Sequence, residues 1–427
     1  GIAMNNKKLD TVCVQGAYRP KSGEARVCPV VKSTTFYYEK AQPMADLFDL
    51  KSEGYFYSRI GNPTVNAFEE KLSMLDGGTG AIACASGMSA TMLAVLNVCN
   101  AGDNIVSSSA VYGGTYNLFS VTLKKYGIET RFFDPDDSAE NIEKLIDKNT
   151  KVIFAETVAN PTIVVLDFDK VAGLAKKHGI LFMVDNTLVT PVLCKPRDFG
   201  ANVILYSSSK YLDGHAVALG GAIVDCGNFD FAASDRYVEF NIPDDSYHGL
   251  VYSTLGEKAF GTKCRVQMMR DLGAIMSPEN AFLTNLGMET LALRMERHSR
   301  NAERVAEYLA HHPKVEWVKY GSLESDKYHS LAKKYMPNGQ GGMLSFGVKG
   351  GSEAATAVME GLKMIAIVTH VADVRSCVLH PASTTHRQLS AADLENIGIA
   401  DNLIRLSVGI ENIDDIISDL DGALSQI

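Results

Sequence analysis

A lysine set behind a run of hydroxyls is the group with the most distinctive chemistry in this chain. The segment Tyr206-Ser-Ser-Ser-Lys210-Tyr-Leu-Asp-Gly-His215 follows an apolar lead-in, Asn202 to Tyr206. A desolvated lysine amine loses its proton readily and becomes a nucleophile, so Lys210 could join a carbonyl cofactor as an imine. The hydroxyls of Ser207 and Ser209 could bond phosphate oxygens beside it. A second anion site is offered where Ala85-Ser-Gly-Met-Ser-Ala90 links a strand to a helix. There Ser86, Gly87 and Met88 would present free N–H groups and a helix dipole to a phosphate. Tyr57 and Arg59 point the same way from an extended segment and offer a phenol and a guanidinium to an anion. Asp185 closes an apolar run and needs a partner for its charge. Tyr112, in Val-Tyr-Gly-Gly-Thr115, can approach a flat ligand because glycines follow it. Asn160 lies just past another strand. Arg405 alternates with apolar residues on a further strand, where it either faces solvent or grips a carboxylate with two nitrogens. Taken singly, each residue has a structural reading as well: a solvated lysine, a helix cap, a packed aromatic, a turn asparagine.

The elements that must hold these groups alternate regularly. A helix is expected from Pro63 to Leu75, ended by Asp76-Gly-Gly, then a strand over Ala81 to Cys84 and a helix to about Val98. Strands are expected at Asn104 to Ser107, Ile128 to Phe133, Lys151 to Glu156, Ile180 to Asp185, Asn202 to Tyr206 and Leu219 to Val224. Helices fall between them at Gly114 to Tyr126, Ser138 to Asp147 and Asp169 to His178. Repeated β-α with near-continuous apolar strands predicts an α/β fold: a mainly parallel sheet covered on both faces, with ligands beyond the strand C-termini. The polar residues named above gather at those ends. Residues 4–62 read as an extended arm that needs another surface, such as a neighbouring subunit, to lie on. Residues 63–270 read as the large domain. Residues 271–427 read as connecting helices and a smaller C-terminal α/β domain. Its strands are expected at Val315 to Tyr320, Met343 to Val348, Met364 to Thr369 and Leu403 to Val408. Long helices are expected at Gly256 to Arg270 and at Pro278 to His311, the latter broken near Gly287. Shorter ones are expected at Ser352 to Leu362 and Ile413 to Leu424.

The 427 residues are 46% hydrophobic and 21% charged, an ordinary globular composition with room for two or three domains. A net charge of −9 argues against nucleic acid or an anionic membrane as partner. No apolar run reaches the roughly 18 residues of a membrane span, and the stretch after Met4 lacks a signal peptide's apolar core. Gly1-Ile-Ala ahead of Met4 reads as an artificial extension. Eight cysteines without a C-x-x-C pair favour reduced thiols and a cytoplasmic setting. No metal site is expected, since neither cysteines nor histidines show ligand spacing.

In combination the motifs become specific. Tyr57-Ser-Arg-x-x-Asn-Pro-Thr64, Ser86-Gly-Met-Ser89, Tyr112-Gly-Gly-Thr115, Asn160-Pro161, Asp185-Asn-Thr187, Ser207-x-Ser-Lys210 and Arg405-Leu-Ser-Val-Gly409 resemble, in order and spacing, one family. It is the pyridoxal-phosphate (PLP) enzymes of cysteine and methionine metabolism, and the resemblance runs from about residue 9 to the C-terminus. Within it, Ser246-Tyr-His-Gly-Leu-Val-Tyr252, Arg270-Asp-Leu-Gly273, Glu296-Arg-His298 and His380-Pro-Ala-Ser-Thr-Thr-His386 are most similar to the O-acetylhomoserine sulfhydrylase branch.

The resemblance implies the fold type I of PLP-dependent transferases, aspartate aminotransferase-like, and PLP held as an imine on Lys210. It implies that Asp185 pairs with the pyridinium nitrogen and that Tyr112 stacks on the ring and assists proton transfer. Ser86, Gly87, Met88, Ser207 and Ser209 would bind phosphate, joined by Tyr57 and Arg59 of a neighbouring subunit. Asn160 would touch the ring hydroxyl, with Arg405, Ser383 and Asn160 at the substrate. The implied reaction is a transferase step of methionine biosynthesis. It replaces the acetate of O-acetyl-L-homoserine with sulfide or methanethiol, in a cytoplasmic homotetramer built as a dimer of dimers. Methionine γ-lyase and cystathionine γ-synthase are siblings with related chemistry, and a non-catalytic binding protein on the same fold is the alternative from another class. The lyase carries a cysteine two residues after the stacking tyrosine, where this chain has Gly114. Departures from the sulfhydrylase pattern are Ser209 for threonine, Val158-Ala159 before Asn160 where glycine is usual, a glycine-poor Leu212-Asp-Gly-His-Ala-Val217, and His370-Val-Ala-Asp373 for Asn-Val-Gly-Asp.

Overall fold

The computed structural model describes residues 4–427; Gly1 to Ala3 lie outside the described residues. Seven strands are β1 (Gly80–Cys84), β2 (Asn104–Ser108), β3 (Glu129–Phe133), β4 (Thr150–Glu156), β5 (Leu181–Asp185), β6 (Val203–Tyr206) and β7 (Gly221–Asp225). They form one sheet in the order β1-β7-β6-β5-β4-β2-β3. β7 runs antiparallel to both neighbours and every other pair is parallel. The unbroken apolar strands follow from two cores rather than one. Ile153 and Ala155 of β4, Phe182 and Val184 of β5, and Ile204 and Tyr206 of β6 pack on one face. Val152, Phe154, Leu181, Met183, Val203 and Leu205 pack on the other. Alternate side chains thus go to opposite faces, and both faces are dry.

Because β7 is antiparallel, β1 and β6 end at the same edge with the start of β7 between them. Gly221 pairs with Cys84, and Ala222 pairs with both Ala83 and Tyr206. The turns after β1 and β6 are thereby brought side by side. Backbone approach there is too close for side chains: a Cβ on Gly221 would lie 2.1 Å from Ser86 O, and one on Gly87 would lie 2.7 Å from Ser207 Cβ.

A second sheet contains β8 (Val315–Lys319), β9 (Met343–Val348), β10 (Ala366–Ile367), β11 (Cys377–Leu379) and β12 (Leu403–Ser407), in the order β10-β11-β12-β9-β8. Its core is a third apolar cluster. Helix Leu291–Ala310 couples the two units. Its Leu291 and Met295 enter a core of the first sheet, and its Ala302, Val305, Ala306 and Leu309 enter that of the second.

Several elements differ from expectation. The stretch before Pro63 contains two helices, Leu9–Gln15 and Ala41–Phe48. Val12 and Cys13 of the first are buried against helix Pro63–Asp76 and its neighbours, although neither end of that helix has a side-chain cap. Residues 19–27 remain exposed throughout. The helix expected over Gly256 to Arg270 is a chain of short 3-10, α and π turns, entered through Gly256 with φ at +60°. The long helix breaks at Thr290 rather than at Gly287, dividing into Pro278–Glu289 and Leu291–Ala310. The segment expected at Gly114 to Tyr126 splits into α-helix Gly113–Ser120 and a 3-10 turn. β11 and helices His329–Tyr335 and Ala391–Asn396 had no counterpart in the reading.

Candidate active site

The C-terminal ends of β5 and β6 are tied by one hydroxyl. Thr187 donates to Asp185 Oδ1 from both its backbone N–H, at 3.0 Å, and its Oγ1, at 2.5 Å. The same Oγ1 accepts from Ser207 N at 3.0 Å. The turn then tightens, with Lys210 N donating to Ser207 O at 3.3 Å and Ser208 N to Gly220 O at 3.0 Å. Lys210 and Asp185 therefore share one sheet edge. Burial, and then the positive charge of Arg405, hold the Lys210 amine below the usual lysine range, which favours the neutral, nucleophilic form. Its Nζ lies 3.4 Å from His370 Nδ1.

Asp185 meets the opposite pressure. Burial raises its carboxyl despite both Thr187 hydrogen bonds. Among the described residues no cationic side chain forms an ion pair with it. Glu156, its neighbour in register on β4, accepts from Tyr112 N at 2.8 and 3.0 Å. Burial and the Asp185 charge push the Glu156 carboxyl well up. Two adjacent dry carboxyls cannot both ionise cheaply, so an external cation is the natural complement to the site.

Around these carboxyls lies an unfinished set of polar groups. Asn160 Oδ1 and Arg405 Nε are buried without a hydrogen-bond partner among the described residues. Arg405 is 4% exposed, so it does not face solvent from its strand; its Nη2 donates to Thr369 O at 3.1 Å. Burial lowers its guanidinium to about 10. The second sheet reaches the Asn160 loop through Ser345, the register partner of Arg405, whose Oγ donates to Pro161 O at 2.5 Å. Tyr112 is 45% exposed, and its ring covers Gly114 so closely that a Cβ there would lie 2.6 Å from a ring carbon. Ser86 caps helix Gly87–Leu96, accepting from Ser89 N at 3.1 Å. The first-turn N–H groups of Gly87 and Met88 are left without intrahelical acceptors, beside Ser207.

The remaining expected residues are placed differently. The Ser209 hydroxyl is engaged with Gly220, donating to its O at 3.2 Å and accepting from its N at 3.0 Å. Ser383 bonds His380 Nδ1 at 2.7 Å, and no hydrogen bond joins it to Lys210 or Arg405. Arg59 lies 5.0 Å from the Tyr57 ring centroid and donates to Arg270 O at 2.6 Å; no hydrogen bond links this pair to Ser86, Ser207 or Lys210 of its own chain. Glu156 and Thr187 were not singled out from the sequence. Glu156 did carry a signal, since it closes an apolar strand as Asp185 does.

These features fit a flat anionic cofactor with a basic ring nitrogen and a carbonyl. Hydroxyls and free N–H groups stand ready at one end, an unpaired carboxyl at another, and a deprotonatable amine beside them. Comparison with known proteins agrees. The family described as Cys/Met metabolism PLP-dependent enzyme matches residues 10–425. Homocysteine synthase of Schizosaccharomyces pombe is 43% identical, covering 99% of each chain. O-acetyl-L-homoserine sulfhydrylase of Leptospira meyeri is 42% identical over 99% of this chain and 98% of its own. A crystal structure of a putative O-acetylhomoserine (thiol)-lyase from Campylobacter jejuni, containing a pyridoxyl-lysine monophosphate, superposes with a TM-score of 0.95. It is 42% identical and covers 98% of this chain and 99% of its own.

Proposed function

The chain belongs to the Cys/Met metabolism PLP-dependent enzymes, and we propose that it replaces the γ-acetate of O-acetyl-L-homoserine with sulfide or a small thiol, giving homocysteine or methionine. The observation that carries this reading is the juxtaposition, beyond the ends of adjacent strands, of a half-buried lysine held below its usual pKa and a half-buried carboxyl that has no cationic partner among the described residues. When bound, PLP supplies a protonated ring that delocalises the electron pair left behind as a C–H bond breaks. Lys210 Nζ holds the cofactor between turnovers, then carries protons to and from the substrate carbons. The Asp185 carboxylate keeps the ring nitrogen protonated. Tyr112 would help hold the cofactor ring, and Asn160, whose Oδ1 has no partner among the described residues, would offer it a polar contact. The turns at Ser86 to Met88 and Ser207 to Ser209 hold the phosphate. Arg405 takes the substrate carboxylate.

Replacement is favoured over lyase chemistry by Gly114, where methionine γ-lyase carries cysteine: no thiol stands beside the Tyr112 ring here. Tyr57 and Arg59 are assigned to a neighbouring subunit's phosphate, in a tetramer of two dimers. The exposed arm, with Tyr37 87% open to solvent, supports that assembly. No helix among the described residues is long and apolar enough to cross a membrane, and a cytoplasmic enzyme is part of the same proposal.

Product analysis with O-acetylhomoserine, O-succinylhomoserine and methionine, each with and without sulfide, tests the assignment. Homocysteine formed from the acetyl ester only when sulfide is present is the expected outcome; ketobutyrate from methionine as the main product overturns it. Arg405→Ala is expected to lower kcat/KM for O-acetylhomoserine by about 30-fold or more, mostly through KM. Losing a buried charge-assisted carboxylate grip costs about 2–5 kcal/mol.

A further inference from the structure

β1 closes one end of the first sheet, so one of its edges faces β7 and the other has no strand to bond. A charged pair occupies that edge instead. Ala81 O accepts from Arg265 Nη2 at 3.0 Å, and Ala83 N donates to Glu69 Oε2 at 2.7 Å. The two side chains also bond each other, Nη2 to Oε2 at 2.8 Å. The other terminal nitrogen of the guanidinium reaches away from the sheet: Arg265 Nη1 donates to Ile60 O at 2.9 Å.

Ile60 lies in the tight turn that carries Arg59, where Ile60 N and Gly61 N both donate to Tyr57 O, at 3.0 and 3.2 Å. Arg59 Nη1 in turn donates to Arg270 O at 2.6 Å. The π turn Cys264–Met269 and the residue after it therefore grip the arm at two successive positions, and such wide turns recur at functional sites. Tyr57 Oη and Arg59 Nη2 make no hydrogen bond in their own chain among the described residues. Asn62 Nδ2 also holds the arm, donating to Val31 O at 2.9 Å and Ser58 Oγ at 3.2 Å, but these bonds stay within the arm and do not reach the sheet.

Resting on the assignment of Tyr57 and Arg59 to a neighbouring subunit's phosphate, we infer that Arg265 is a positioning residue for the partner's cofactor site rather than for that of its own chain. Its guanidinium bonds the arm at Ile60, helix Pro63–Asp76 through Glu69, and β1 at Ala81 all at once. β1 leads within two residues to Ser86. The reach of Arg59 toward the partner is thus set from the same strand that presents this chain's own phosphate turn. Three acceptors in these directions need a planar fork; a lysine ammonium can keep the charge beside Glu69 but cannot also bridge to Ile60 O. Glu69 is 4% exposed, and a neutral residue at 265 would leave it a buried charge without a partner. Arg265→Lys is for that reason the informative change.

Mixed dimers built from differently tagged chains separate the two sites. Every dimer holds one Arg265→Lys and one Lys210→Ala. In the first arrangement the substitutions are on opposite chains, and the intact Lys210 site receives a wild-type arm. In the second both are on one chain, and the intact site receives the altered arm. Composition is identical, so a general loss of stability affects both alike. PLP titrated into the cofactor-free dimers is followed by the visible absorbance of lysine-linked cofactor, which only the intact Lys210 site can form. The PLP dissociation constant should be higher in the second arrangement by about tenfold or more, the loss expected when one charge-assisted phosphate contact is displaced. Equal constants, or weaker binding in the first arrangement, overturn the inference. Arg59→Ala in place of Arg265→Lys examines the premise with the same dimers. A difference there but none for Arg265→Lys removes the role of Arg265 alone; no difference for Arg59→Ala removes the neighbouring-subunit assignment and the inference with it.

Discussion

Lys210→Ala will fold and lose turnover, with kcat lower by roughly 10⁴-fold or more, the upper range for removing a general acid–base group. The loss is larger than that of any binding residue because one side chain has two duties. On the proposed reading it attaches the cofactor between cycles and moves protons during them. Folding should survive: the amine makes no ion pair among the described residues, and burial, which holds its pKa down, makes its charge unfavourable there. Circular dichroism should match the wild type, while the visible absorbance of lysine-linked cofactor disappears. Retention of that absorbance band would show that another amine holds the cofactor, and the assignment of Lys210 would fall with it.

Asp185→Asn isolates charge from geometry. Thr187 donates both its N–H and its hydroxyl to Asp185 Oδ1, and an asparagine Oδ1 can accept the same two bonds. The link through Thr187 Oγ1 to Ser207 should therefore persist. What disappears is the negative charge proposed to pair with the cofactor's ring nitrogen. Removing one partner of a buried ion pair costs about 3–5 kcal/mol, so kcat/KM should drop by at least roughly 10²-fold. Glu156 is the nearest substitute, but it is engaged by Tyr112 N and raised well above its usual range. Steady-state kinetics with O-acetylhomoserine and sulfide, with the absorbance spectrum recorded alongside, provide the check. Activity within a factor of about three of wild type would mean that the ring nitrogen need not be held protonated from this side.

Much of this was legible in the linear order of residues, and the reason is locality. Helix Ile413–Leu424 matches its expected bounds, and Pro63–Asp76 begins at an Asn62 cap with proline at the first position and ends at a left-handed Gly77. Such signals act within a turn or two of chain. The strand, small-residue turn and helix that carry Ser86, and the strand-then-turn segments that carry Asp185 and Lys210, are local in the same sense, so their chemistry and the family resemblance could be read together.

Other features depend on pairing between distant segments, which local spacing does not encode. β11 is three residues long and becomes a strand because β10 and β12 flank it. Helix Leu9–Gln15 has no caps and is held by the core into which Val12 and Cys13 fit. The register that sets Glu156 beside Asp185 arises inside the first sheet, whereas the burial of Arg405 and the approach of His370 to Lys210 across 160 residues join that unit to the second. Sequence determined which groups this protein possesses and the turns that present them. Only the tertiary structure decided which were stripped of water and left facing one another, and for an amine, an imidazole and two carboxyls that loss of water is what shifts the charge they carry.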